Sequence, residues 1–255
     1  MRKLVKKFIP LVLCLCMLFS MTAMASPAED NVLLIAPAPA ATEEYALKAG
    51  AGAAEITFEQ AMFPVEGFNG EVHLNPYVRV LVLEQDEKVA IVSYETVNVP
   101  TDVITMVKEI VSAKTGIPAN DVWVHATHAI TTPHAPDDSA KRELFVAAMT
   151  EAAAAAAEQA AAAFQPAKMG VATGMLDVNA NRGIQIGENW YYGLNSTMPS
   201  NKKITVVDFK DLEGAPIGTF ISYGIKPTAI DNVEMDEVTR KISSDVPGVA
   251  CRMLE

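Results

Sequence analysis

The sequence predicts an α/β (α+β mixed) fold, a single domain in which a mixed β-sheet with several hairpins is flanked by helices. Three observations predict it. Residues 77–84 (YVRVLVLE) and 88–94 (KVAIVSY) are rich in β-branched residues and separated only by the polar Gln85-Asp86-Glu87, the pattern of an antiparallel hairpin. Residues 204–210 and 215–223 repeat that pattern around Asp211-Leu212-Glu213-Gly214. Between the two hairpins, residues 100–114 and 137–164 carry helical periodicity.

The chain has 255 residues and opens as an export signal. Arg2, Lys3, Lys6 and Lys7 form a basic start, residues 8–21 are apolar, and Ala23-Met24-Ala25 is a small-x-small cleavage site. The apolar run falls short of the roughly 20 residues that a membrane span needs, so no transmembrane anchor is expected after cleavage at Ala25. Cys14 and Cys16 follow leucines, which disfavours lipid attachment. The expected product is secreted or extracytoplasmic. Removing residues 1–25, with four basic and no acidic residues, shifts the formal net charge from −11 to −15. Such a surface repels nucleic acid and anionic membranes. Two of the three cysteines leave with the signal, so Cys251 has no intrachain partner and a cysteine-based zinc site is excluded.

The elements follow in order. Residues 26–48 read as a linker containing Pro and Ala, and residues 49–255 as the folded domain. Gly50 and Gly52 suggest a loop feeding a strand at Ile56-Thr57-Phe58, and Pro64, Gly67 and Gly70 mark an irregular loop. Pro100 suits the first turn of the next helix, whose Val103, Val107, Ile110 and Val111 repeat at helical spacing before Gly116 closes it. The helix over 137–164 has Asp137 or Ser139 as its N-cap, Leu144, Phe145 and Met149 on its apolar face, and an almost pure alanine second half. Alanine favours helix but buries little area, so that half packs close against a neighbour or lies half exposed. Residues 168–178 read as a strand weakened by Gly170 and Gly174. Trp190, Tyr191 and Tyr192 read as a hydrophobic plug, the commoner use of aromatics, or as one wall of an apolar pocket. The segment around Pro247 opens a helix with little chain after it, and the expectation is that the domain continues beyond Glu255.

Candidate chemistry gathers in residues 121–136, DVWVHATHAITTPHAP. A short strand over Val122, Trp123 and Val124 runs into a loop carrying His125, His128 and His134, three of the four histidines. The carboxyl end of a strand is where α/β sheets bind ligands, and histidine suits both proton transfer and zinc ligation. His128, just past the strand, is the best-placed of the three. His125 and His134 are open to a structural or solvated role, and spacing alone nominates no further ligand.

Read together, AGAAEIT followed by GFNG, the hairpin RVLVLEQDEKVAIVSYE, TGIPANDVWVHATHAITTP, Asn181-Arg182, SYGIKPT and SSDVPG occur in an order that resembles the catalytic N-terminal domain of the neutral/alkaline (non-lysosomal) ceramidases. That family comprises secreted zinc amidohydrolases that cleave the N-acyl bond of ceramide. The resemblance spans about residues 49–255 and implies Zn2+ as cofactor and an N-acyl lipid as partner. It sets Thr127-His128 on the first Thr-His of the family's Thr-His-Thr-His-Ser-Gly-Pro, which makes His128 a zinc ligand. Arg182 is then the residue that contacts the substrate carbonyl. Ala129 and Ile130 replace the second Thr-His, and Lys226 stands where His-Pro-Thr supplies another zinc histidine. A protonated lysine repels the cation instead of binding it. The family's remaining ligands, an acidic residue and a tyrosine, belong to sequence beyond Glu255. His134 is the one nearby histidine that a local rearrangement would bring into the site. The resemblance therefore implies a ceramidase-like amidohydrolase with a degenerate metal site. The alternatives are a catalytically inactive binding protein for a lipid or glycan, and a fragment of a longer hydrolase.

Overall fold

The computed structural model describes residues 47–230 and 240–255. The expected export signal over 1–25 and nearly all of the expected 26–48 linker lie outside the described residues. The expected first hairpin forms the centre of the main sheet. Strands β1 (Lys48–Glu55), β2 (Phe68–Leu74), β3 (Tyr77–Glu84), β4 (Lys88–Tyr94) and β5 (Val122–Ala126) come first. The main sheet has the order β5-β4-β3-β1-β6, where β6 is the two-residue Gln165–Pro166. Pairs β1/β3 and β3/β4 are antiparallel, whereas β4/β5 is parallel, so the sheet is mixed as expected. Helix α1 (Thr101–Thr115) makes the crossover between the two parallel strands. Gly116 ends it in the left-handed conformation (φ 72°).

Period-two alternation decides which face is covered. Val78, Val80 and Val82 of β3 and Ala90, Val92 and Tyr94 of β4 are buried, and they share a core with Val103, Val107 and Val111 of α1. Helix α2 (Ser139–Ala162) lies on the same face. Its N-cap is Asp138, between the two residues the sequence offered, and its carboxylate accepts the Lys141 N–H at 3.0 Å. The alanine-rich half is close-packed. A Cβ on Gly50 would come within 2.2 Å of the Ala160 carbonyl oxygen, and one on Gly52 within 2.2 Å of that of Ala156. Helix backbone therefore rests directly on strand backbone, the first of the two alternatives left open for the alanine run, whereas the expected loop at Gly50 and Gly52 is corrected. The Gly50–Gly52 segment is the strand itself, and Ile56 to Phe58 lies beyond its end, with Phe58 stacked on Phe145.

On the opposite face lies a second sheet, β11-β10-β7, built from β7 (Lys168–Met175), β10 (Lys203–Lys210) and β11 (Pro216–Tyr223). It includes the second expected hairpin. Gly218 brings it close, since a Cβ there would sit 3.0 Å from that of Ala51. Residues 68–70, expected as the end of an irregular loop, instead open β2, which gains a distant parallel partner, β12 (Arg240–Ser243). Helix α3 (Asp245–Arg252) follows β12. Strands β8 (Asn181–Ile186) and β9 (Asn189–Asn195) form a separate hairpin. Trp190, Tyr191 and Tyr192 on β9 are 61, 52 and 61% exposed, so they are not a buried plug. A two-stranded ribbon has no third layer to bury them.

Candidate functional site

The register of the main sheet brings the ends of β4 and β5 together, with Tyr94 opposite Ala126. The ladder runs one residue further, the Thr127 N–H donating to the Tyr94 carbonyl at 2.8 Å. The chain then turns sharply at His128, which adopts a left-handed backbone (φ 62°). Its Nδ1 lies 2.7 Å from the Val97 carbonyl. A carbonyl only accepts, so Nδ1 carries the proton and Nε2 keeps its lone pair. This is the tautomer that a metal-ligating or proton-accepting histidine needs.

Thr132 fixes the loop around it. Its hydroxyl accepts the Val97 N–H at 2.7 Å and donates to the Ala129 carbonyl at 2.9 Å. Thr131 ties the loop to β12 by two bonds. Its hydroxyl donates to the Ser243 carbonyl at 2.9 Å, and its own carbonyl accepts the Ser243 N–H at 2.8 Å. Two residues on, the buried Asp245 accepts the N–H groups of Ala229 and Ile230 at 3.3 and 3.1 Å. The 225–230 segment is thereby anchored to the start of α3. A continuous run of hydrogen bonds thus leads from the histidine loop to the segment that carries Lys226.

Arg182 and Lys226, 44 positions apart in the sequence, are brought together on one ring. The Arg182 guanidinium carbon lies 4.3 Å and the Lys226 Nζ 4.8 Å from the centre of Tyr192. Arg182 also donates to the Thr228 hydroxyl and the Gly193 carbonyl, both at 3.2 Å. Neither cation is in an ion pair with a carboxylate among the described residues.

The other sequence candidates stand apart from this pair. His134 contacts Glu66, its Nδ1 3.0 Å from the carboxylate and its N–H donating to it at 3.0 Å. Burial raises the Glu66 pKa, but the His134 hydrogen bonds and charge, with Arg240 nearby, outweigh it and hold the carboxyl below its ordinary value. Ile130 is half-buried, and its carbonyl accepts from Arg240 at 2.9 Å. His125 is the exposed penultimate residue of β5. No three His, Cys, Asp or Glu side chains among the described residues come together as a metal-holding group. His128 has the right tautomer and lacks partners. Ile130 offers no donor atom and Lys226 offers a cation, so the described residues do not fit a zinc ion.

Sequence reasoning missed the neighbouring depression of about 300 Å3, lined by Val72, His73, Leu74, Asn75, Tyr77 and Arg252. His73, the fourth histidine, has its Nδ1 3.3 Å from the Ser243 hydroxyl. Beside it the buried Glu95 pairs with Arg79 and accepts the Tyr77 N–H at 3.0 Å, while burial pushes its carboxyl up. The signal for His73 lay in a partner 170 residues away, which no local pattern reveals.

Among solved structures, the chain is similar to the neutral ceramidase from Pseudomonas aeruginosa, with a TM-score of 0.60 and 20% identity over 81% of this chain and 35% of that one. A ceramidase complexed with C2 aligns at a TM-score of 0.63 and 20% identity, over 81% of this chain and 34% of that one. No family model and no curated protein matches the sequence. The chain has a neutral-ceramidase-like fold and spans about a third of the length of those structures.

Proposed function

We propose that this chain is an exported ceramidase-like protein that binds an N-acyl amphiphile without metal, through Arg182 and Lys226 on Tyr192. The fold supports the class of ligand. The observation that carries the reading is the pair of cations held over one aromatic ring, with no carboxylate among the described residues neutralising either of them. Their N–H donors suit an amide carbonyl or an anionic head group, and Lys226 supplies positive charge where the resemblance implies a metal ligand. Titrating a water-soluble short-chain N-acyl amino alcohol by calorimetry in EDTA tests it. Saturable binding is expected, weakened roughly tenfold or more by Lys226→Ala as one hydrogen bond to a charged group is lost. Equal affinity in the variant contradicts this reading.

The geometry of His128 favours a second reading, a zinc amidohydrolase in which His128 is one ligand. The chain's own share is the Val97 carbonyl, which fixes the His128 tautomer, and Arg182, which orients the acyl carbonyl. This reading expects about one zinc per chain after purification, with loss of metal and of fatty-acid release in His128→Ala. Metal analysis that finds no zinc in chain prepared in zinc-supplemented buffer contradicts it.

A further inference from the structure

The hairpin β8–β9 carries an apolar surface that neither the sheets nor the site above uses. On β9, Trp190 is 61% exposed on one face and Tyr191 52% on the other, and Leu194, past the register shift that follows Tyr192, is 72% exposed. Ile186 on β8 adds a fourth large side chain at 62%. The ribbon has only two strands, so the outer edge of β9 is unpaired within it. A two-stranded ribbon with apolar residues on both faces is at best marginal in water. A protein partner docking on a sheet covers one face. A strand apolar on both faces fits a medium that surrounds it.

We propose that β9 enters the headgroup layer of a phospholipid bilayer edge-on. The composition fits that depth, because Trp and Tyr prefer the membrane–water interface, where an apolar ring and a polar tip are both satisfied. The charge fits too. Lys203, the first residue of β10, and Lys226 beside Tyr192 are in no ion pair among the described residues, in a chain of net charge −11. Lipid phosphates complement both. Glu188 at the turn keeps that end of β9 hydrated, so insertion is shallow and parallel to the surface. The overall negative charge selects zwitterionic over anionic lipid. This goes beyond ligand binding at Arg182 and Lys226 and places the ligand site at the interface where an amphiphile resides.

The chain has two tryptophans, Trp123 and Trp190, so Trp123→Phe leaves Trp190 as the sole reporter. With phosphatidylcholine vesicles, Trp190 emission is expected to shift to the blue and to be quenched by brominated acyl chains. Tyr191→Ser with Leu194→Ser should cut the vesicle-bound fraction roughly tenfold in sedimentation, with unchanged circular dichroism. An unquenched Trp190, or equal sedimentation of the double variant, overturns the proposal. So does a vesicle-independent dimer that the double variant disperses, since β9 would then pair with a second copy. Vesicle binding is read without ligand or zinc, so it stands or fails separately from the proposed function.

Discussion

His128 and His134 lie six residues apart in one loop and face opposite demands. His128 is held by a carbonyl, which fixes its proton on Nδ1 and leaves Nε2 available. His134 is held by the Glu66 carboxylate, which occupies Nδ1. That contact makes a pH prediction. The folded pKa of Glu66 is below its ordinary value, so its contribution to stability is present above about 4.5 and is lost as pH falls through the folded pKa. Glu66→Gln should flatten that acid-side loss in urea denaturation from pH 6 to pH 3. An identical pH profile in wild type and variant would count against it. His128 lies in the loop past β5, where the sequence placed it, but its partner, Val97, lies 31 residues upstream and left no local mark. Arg182 and Lys226 were nominated separately by resemblance. Their meeting on Tyr192 depends on a ribbon whose position no periodicity encodes.

At the scale of elements, the contact between β1 and α2 explains two compositional oddities together. The Gly-x-Gly of β1 and the alanine run of α2 are each weak as isolated signals, and each is the other's cause. Removing both side-chain layers lets the helix backbone reach the sheet. Gly52→Val should therefore destabilise the fold by about 1–3 kcal/mol through overpacking against Ala156. Gly170→Val, where a Cβ meets nothing within 4 Å, should cost far less. Similar denaturation midpoints for the two variants would contradict the close-packed account. Strand and helix periodicity made β3, β4, α1, β10 and β11 legible, because each buries one face. Strand β2 was not legible, because its partner β12 begins 172 positions after its first residue, at the bulge-broken pair Phe68–Arg240. The exposed aromatics of β9 were read as a plug because aromatics are usually covered, and a two-stranded ribbon is the exception.

At the scale of the molecule, the three-layer body turns one end of its main sheet into a site. There the ends of β4 and β5, the start of α3 and the 225–230 segment are tied by Thr131, Ser243 and Asp245. The fold is neutral-ceramidase-like, while the donor set at the resemblance's metal positions is one histidine, one isoleucine and one lysine. The central claim is that ligand recognition at this site needs no metal. Calorimetric titration of the short-chain N-acyl amino alcohol into the mature chain, once in EDTA and once in zinc, tests it most directly. The account predicts the same dissociation constant in both buffers. Binding that appears only with zinc would contradict it.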